Sequence, residues 1–228
     1  MNDRDVRRIL AALARLGAVT YSEDSAELTA LGRYAIGRSR GEPEPGDPVL
    51  RVTITLAEVE PRVRRQLLIP APMPLDRLHQ VIQTAMGWEN YHLHSFTDGK
   101  RTYGQPDPDL DFVDERTVQL GDLKVDRLYY TYDFGDGWEH EILLDPAGMA
   151  DPDLRYPRCI SGEGACPPED CGGSGGYQHL REVLADADDA EHEAMVMWLG
   201  LEKAAEFDVA AFDLERVNRR LTAVDRPR

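Results

Sequence analysis

The strongest constraint on the fold is the order strand, strand, helix, strand that begins at residue 49. Residues 49–56 alternate apolar and polar side chains, which is the two-residue period of a half-buried β-strand. Residues 63–69 predict a second strand, residues 75–86 predict a helix that ends before a glycine, and residues 92–96 predict a third strand. The order resembles a β-grasp arrangement, in which a helix crosses a mixed β-sheet.

The rest of the chain also mixes strands and helices. Residues 128–132 and 138–144 predict two strands, and the Asp-Gly dipeptide between them predicts a hairpin turn. Residues 145–176 predict a long loop without regular structure, which in a compact domain is usually functional. Helices are predicted at 177–187, 190–201 and 212–223. We therefore expect an α+β fold with C-terminal helices.

The first 40 residues predict a separate small unit. A helix, a hairpin and a second helix, which Thr29 caps and which runs through Ile36, are similar to the second half of a winged-helix domain. The preceding helices of that fold are absent, so a complete DNA-binding module is not expected. Residues 41–48 contain three prolines and predict a linker, and the main domain is predicted to span 49–228.

Composition limits the compartments and the partners. The net charge of −16 repels nucleic acid as a whole. Residues 1–40 carry seven arginines against five acidic residues, a balance of +2, so DNA binding there is a weaker alternative. Their apolar faces must pack on the main domain or on another subunit, which makes an oligomer through residues 1–40 an open alternative. Without an apolar run of about 18 residues or a secretory signal, we expect no membrane partner and a cytoplasmic protein.

Three cysteines lie within thirteen residues. Cys159, Cys166 and Cys171 have the spacing C-x6-C and C-x4-C, and clustered cysteines in a reducing compartment point to metal or redox chemistry. Three thiolates and the imidazole of His140 would complete a tetrahedral zinc site. The alternative is that Cys159 is a small buried apolar residue, while the other two thiols are free or form a local bridge.

Two further groups suggest a ligand or metal site. The hairpin contributes Asp133, Asp136, Trp138 and Glu139, and the cysteine segment adds Glu169 and Asp170; such carboxylates could hold a divalent ion. His92 and His94, two residues apart on a strand, would project from one side and could also bind metal. The alternatives are a tight turn with backbone-bonded acids and a pair of structural histidines. A basic cluster at Arg62, Arg64 and Arg65 suits a phosphate contact or neutralisation of nearby acids.

Four motifs carry a resemblance to a known family: Gly87–His94 (GWENYHLH), Tyr132–His140 (YDFGDGWEH), Gly162–Gly173 (GEGACPPEDCGG) and Trp198–Gly200 (WLG). Together they resemble the plasmid open-reading-frame-three-like family, also labelled insertion-element passenger TnpR-like, over roughly residues 49–221. The family usually has tryptophan where this chain has Val63. The resemblance implies an α+β domain with a mixed sheet and an association with plasmids and mobile elements, and it implies no reaction.

These observations lead to three hypotheses of function. The first is a binding module for a small molecule or a protein, with its site between the 133–138 hairpin and the 159–176 segment. The second is a metal-dependent hydrolase, in particular a nuclease, and the third is a structural zinc protein. Zinc or another divalent ion is the expected cofactor of the last two.

Overall fold

The computed structural model describes residues 3–21, 25–29, 31–32 and 43–224. The helices in this part of the chain are α1 (Asp3–Arg15), α2 (Leu75–Met86), α3 (Gly173–Ala185), α4 (His192–Trp198) and α5 (Leu214–Val224). The strands are β1 (Val19–Tyr21), β2 (Ala26–Leu28), β3 (Pro48–Leu56), β4 (Arg64–Pro70), β5 (His94–Thr97), β6 (Thr102–Gly104), β7 (Val113–Asp114), β8 (Arg127–Tyr132), β9 (Trp138–Met149) and β10 (Arg158–Glu163).

Eight of these strands form one sheet in the order β10-β4-β3-β9-β8-β5-β6-β7. The neighbours are antiparallel except β6 and β7, which are parallel, so the sheet is mixed. The predicted α+β fold class is therefore confirmed. The order strand, strand, helix, strand is also present, but β9 and β8 lie between β3 and β5 in the sheet.

Most predicted elements are confirmed, and the exceptions have a physical reason. The third strand begins at His94, not at residue 92, because its partner β8 ends at Tyr132 and offers no backbone beyond that residue. The expectation of a long loop at 145–176 is wrong. β9 continues to Met149 by pairing with β3 across a bulge, and β10 adds to the other side of β4.

The core lies between one face of the sheet and helix α2. Leu75, Leu78, Ile82 and Ala85 are all at most 1% exposed and lie at helical spacing, as the sequence predicted. Gly87 ends the helix with φ +107°, a left-handed conformation that favours glycine. Helix α5 packs against α2 and β10. Its Asn218 donates to the carbonyl of Cys159 at 2.9 Å and accepts from the amide of the same residue at 2.9 Å.

Arg65 is a buried cation at the junction of three elements. It is 3% exposed, and its guanidinium donates to the carbonyls of Ala85, Arg64, Glu163 and Gly164 at 2.8 to 2.9 Å. The guanidinium also lies 4.7 Å from the centre of the Phe212 ring. Burial lowers the pKa of Arg65. Since its donors are committed to the backbone, Arg65 is not available for the phosphate contact considered from sequence.

The N-terminal unit has the predicted helix followed by a hairpin. α1 precedes β1 and β2, which pair antiparallel with Val19 opposite Leu28. The Thr29 hydroxyl accepts from the amide of Gly32 at 3.0 Å, the bond expected of a helix cap. The remainder of the predicted helix through Ile36 lies outside the described residues. Among the helices that the structure describes, none has both the length and the apolar character to cross a membrane.

Candidate functional site

The β8–β9 hairpin turn and the cysteine segment lie against each other. The amide of Gly172 donates to Asp136 Oδ2 at 3.1 Å. Gly173 sits so close to the hairpin that a Cβ atom there would lie 2.3 Å from the Asp136 carbonyl oxygen. This is the placement that the sequence led us to expect. Helix α3 begins at Gly173 and not at residue 177, so most of the glycine-rich end of the predicted 145–176 loop lies in the first turn of the helix.

Alanine at Gly173 is expected to separate the two segments. Gly173 has φ +68°, and the added Cβ would clash with a backbone carbonyl, so we expect Gly173→Ala to destabilise the protein by about 3 kcal/mol. Gly175 lies in the same helical turn with nothing within 4 Å of its Cβ position. Gly175→Ala is therefore the matched control and should be neutral or stabilising. Urea unfolding measures both; equal losses would contradict the close approach.

Three side chains converge beside this contact. His92 Nε2 lies 3.0 Å from Asp170 Oδ1 and 3.6 Å from Asp133 Oδ2. One ligand atom from each of the three residues lies within 4.8 Å of the others. Glu169 Oε2 is the next nearest oxygen, 3.9 Å from His92 Nε2. We call His92, Asp133, Glu169 and Asp170 the histidine–carboxylate cluster.

Backbone geometry aims the two aspartates at the histidine. Asp133 and Asp170 have φ of +54° and +56°, a conformation that aspartate adopts more readily than most residues. The Asp133 amide donates to the Leu93 carbonyl at 2.9 Å, while its Oδ1 accepts from the Gly135 amide at 2.9 Å. One carboxylate oxygen is thus committed to the turn, and the other faces His92.

Glu169 is held by the loop that carries His92. Its Oε1 accepts from the Glu89 amide at 2.7 Å, and the Tyr132 hydroxyl donates to the carboxylate at 3.1 and 3.2 Å. The same hydroxyl accepts from the Tyr91 amide at 3.1 Å. Burial, followed by the charge of Glu169, raises the pKa of Tyr132 to about 12. Tyr132 therefore stays protonated and links the loop to the carboxylate.

His92 Nε2 is a buried polar atom without a satisfactory partner. Although two carboxylate oxygens lie within 3.6 Å, no group among the described residues meets it with the angles of a hydrogen bond. A buried nitrogen that points into a ring of oxygens without hydrogen bonding to them has the arrangement expected of a metal ligand.

The loop that carries His92 is also held by hydrogen bonds that run from Asn90 through His79 to Tyr130. Asn90 has φ +62°, and its Oδ1 lies 2.6 Å from His79 Nε2. His79 Nδ1 lies 2.8 Å from the Tyr130 hydroxyl, to which Gln83 also donates at 3.0 Å. His79, Asn90 and Tyr132 were not among the site residues predicted from the sequence. Asn90 and Tyr132 do stand in the motifs that carry the family resemblance, which is the signal that could have found them.

Three of the four other predicted ligand-binding residues lie apart from the cluster. His94 does not share a side with His92; it is buried, stacks on His79 and lies 2.8 Å from Glu115. Trp138 is 1% exposed and packs in the core near Trp88. Glu139 is exposed on the strand face opposite the core. Asp136 adjoins the cluster, where it holds Gly172.

The described residues do not bring His140, Cys159, Cys166 and Cys171 together as a set of metal ligands, since His92, Asp133 and Asp170 are the only such group that they form. Burial raises the pKa of all three thiols, to about 12 for Cys171. In the absence of a metal, burial therefore favours the protonated thiols. His140 is completely buried, and its Nδ1 lies 3.2 Å from the carbonyls of Tyr130 and Trp138.

A cleft of about 400 Å³ borders the cluster. Glu169 and Asp170 belong to both, and the remaining wall includes the rings of Trp88, Tyr91 and Pro167. Tyr91 is 72% exposed, so a flat apolar surface lies beside the carboxylates. The Trp88 indole donates to the Pro167 carbonyl at 3.0 Å, which ties the two walls together.

The fold and the site together define an α+β protein whose mixed sheet carries a histidine–carboxylate cluster at the junction of a hairpin and a cysteine segment. The chain belongs to the plasmid pRiA4b ORF-3-like protein family, whose model matches residues 48–216. The family expected from the sequence motifs is thereby confirmed.

Two relatives support this assignment. The uncharacterized protein y4hQ of Sinorhizobium fredii is 38% identical over 177 residues, which cover 75% of this chain and 89% of that protein. The crystal structure of MM3350 from Methanosarcina mazei Go1, described as a protein of unknown function, superposes with a TM-score of 0.68. It is 32% identical and covers 75% of this chain and 97% of its own.

Proposed function

We propose that the protein is a divalent-metal-binding module whose ion is held by His92, Asp133 and Asp170. The observation that carries the proposal is the convergence of one nitrogen and two carboxylate oxygens within 4.8 Å, with the nitrogen buried and without a hydrogen bond among the described residues. Glu169 Oε2, at 3.9 Å from that nitrogen, is placed to join as a fourth ligand after a small movement.

The donor set points to a first-row transition ion. Imidazole suits zinc, iron and nickel, whereas carboxylates also suit manganese. One nitrogen with two or three carboxylate oxygens therefore fits Zn²⁺ or Mn²⁺ better than Ca²⁺, which takes six to eight oxygens. Three carboxylates against one dication leave the site with a net negative charge, so the ion relieves the repulsion between them.

The adjoining cleft supports binding of a second molecule through the ion. Three or four protein ligands leave coordination positions open on ions that accept five or six. The cleft shares Glu169 and Asp170 with the cluster and offers aromatic surface next to it. A small molecule or a peptide with an oxygen donor and a flat apolar group would match both features.

Titration of the metal-free full chain with Zn²⁺ and Mn²⁺ by calorimetry tests the proposal. We expect one ion per chain and an affinity loss of about 100-fold or more in Asp133→Asn, because the variant loses a ligand and a negative charge. Glu139→Gln removes an exposed carboxylate from the same hairpin outside the cluster, and it should leave the affinity within about threefold.

A third variant separates this site from the thiols. Cys171→Ser should retain metal binding, because the Cys171 sulfur is not among the converging ligand atoms. If Cys171→Ser abolished zinc binding while Asp133→Asn preserved it, the ion would belong to the cysteine segment and the proposal would be wrong. Absence of binding to the unmodified chain at millimolar metal would also overturn it.

A further inference from the structure

A second cleft is lined by His79, Asn90 and His94 among other residues. It has a volume of about 440 Å³, and its walls come from the first two turns of α2, the Asn90 turn, β5 and the segment 105–116. None of the four residues of the histidine–carboxylate cluster lines it. We call it the imidazole cleft, after His79 and His94 in its wall.

The wall of the imidazole cleft is made of buried polar side chains. His79 and His94 are each 5% exposed and Glu115 is 2% exposed. The two imidazole rings stack with centres 3.4 Å apart and planes 3° apart, and His94 Nε2 lies 2.8 Å from Glu115 Oε2. Burying polar groups costs free energy unless they are hydrogen-bonded, so the fold stabilises these three side chains through their contacts with one another.

The charges that face the cleft are predominantly negative. Asn90 Oδ1 can only accept, so His79 carries its proton on Nε2. Burial, followed by the charge of His94, lowers the pKa of His79 to about 3, so the ring is neutral and its Nδ1 accepts from the Tyr130 hydroxyl. The Arg116 guanidinium is bound to Asp114 by two hydrogen bonds of 2.9 and 2.7 Å. Asp76 and Glu115 supply two carboxylates to the cleft.

Asp76 contributes an unsatisfied acceptor. Its Oδ1 is buried and meets no hydrogen-bond donor among the described residues. Burial raises the pKa of Asp76 and the charge of Glu115 adds to the shift, whereas a hydrogen bond from the Arg77 amide and the charges of Arg77 and Arg116 oppose it. A ligand with a positive charge and an N–H donor would supply the missing hydrogen bond to Asp76 and reduce the repulsion between the Asp76 and Glu115 carboxylates.

We infer that the imidazole cleft binds a small organic cation through a primary ammonium or guanidinium group placed between Asp76 and Glu115. Amide side chains of Gln80, Asn90 and Gln105 in the wall would bond polar groups on the rest of the ligand. An organic cation fits better than a bare metal ion, because the ligand atoms of these residues do not converge as those of His92, Asp133 and Asp170 do. The volume falls within the usual range for small-molecule sites.

The test uses matched four-carbon probes with the metal-free full chain. Butylammonium and butylguanidinium carry both charge and N–H donors, butanol is neutral, and butyltrimethylammonium is charged without N–H groups. Side-chain amide signals of Gln80, Asn90 and Gln105 in nitrogen–proton NMR spectra report the cleft directly. We expect saturable shifts with the first two probes and at least tenfold weaker binding of the other two.

Asp76→Asn should weaken the binding of butylguanidinium about tenfold or more, because it removes one charge-assisted hydrogen bond. Asp109→Asn makes the same change of net charge at an exposed residue outside the cleft and should have no such effect. Equal responses to butanol and the cations would overturn the inference, as would wild-type affinity in a folded Asp76→Asn variant. The comparison of probes uses the unmodified chain, so it decides the question even if the variant does not fold.

Discussion

Acidification from pH 6.5 to 4.5 is expected to lower the free energy of unfolding by about 4 kcal/mol through two buried histidines alone. Burial lowers the pKa of His140 to about 4, and burial together with the neighbouring His94 lowers that of His79 to about 3. Unfolded histidine titrates near 6.5. Between these values the unfolded chain binds more protons than the folded chain, so each histidine costs at most about 1.4 kcal/mol per pH unit, and less near pH 6.5, where the unfolded ring is only half protonated.

Stability falls on acidification because the pKa values of both His79 and His140 are lowered in the folded protein. Each folded pKa is depressed, so the stability from the neutral rings is fully present above about pH 6.5 and is lost as the pH falls toward the folded values. His140 shows why protonation is costly. Its Nδ1 faces two carbonyls, whereas its buried Nε2 has no acceptor among the described residues for a second proton.

The measurement is urea unfolding at several pH values between 7 and 4.5, with a chelator present so that the histidine–carboxylate cluster carries no metal. His140→Phe and His79→Gln should each reduce the loss of stability by up to about 1.4 kcal/mol per pH unit relative to the unmodified chain. His179 is exposed and pairs with Glu191, so His179→Gln controls for loss of an imidazole as such. Unchanged slopes in both buried variants would show that these rings do not control acid stability.

Arg65→Met is expected to destabilise the protein by about 4 kcal/mol. The substitution leaves four backbone carbonyls without their donor, and one of them, from Ala85, is at the C-terminal end of α2, where helix carbonyls lack internal partners. Removing a buried cation recovers part of its desolvation cost, so we expect less than the sum of four charged hydrogen bonds. The unmatched carbonyls still dominate, because methionine offers no donor.

The neighbouring arginine provides the control. Arg64 forms an ion pair with Glu163 at 3.2 Å, and both side chains are more than a third exposed. Arg64→Met should therefore cost less than about 1 kcal/mol. Chemical unfolding of both variants at pH 7 compares them directly. A cost for Arg65→Met as small as that for Arg64→Met would mean that water replaces the guanidinium, and that the junction is not held by this residue.

Elements with a strong local pattern were predictable from the sequence. β3 and α2 have clear periods of two and 3.6 residues, and Gly87 marks the end of the helix, so their bounds agree closely with the structure. β10 was missed because Cys159, Ser161 and Gly162 give it little apolar alternation. It forms because β4 offers a free side for pairing, which is information that lies elsewhere in the chain.

The candidate site was predictable only in part for the same reason. His92, Asp133, Glu169 and Asp170 were all singled out by residue type, but sequence did not show which of the twelve candidates come together. Which residues converge depends on positive φ at Asp133 and Asp170, which directs their side chains toward His92, and at Asn90 in the loop that carries His92. His94 illustrates the failure, because two-residue spacing places side chains on one side only where both residues belong to the strand.

The two bonds between Asn218 and Cys159 have a consequence for the behaviour of the whole sheet. β10 is an edge strand of the eight-stranded sheet that the described residues form. An unprotected edge strand can pair with a strand from another molecule. One carboxamide occupies both the donor and the acceptor that a foreign strand would need at that point. Helix α5 thus blocks strand pairing at the edge of β10. A chain shortened before residue 212 would leave this edge open to pairing with another molecule, and we expect it to aggregate.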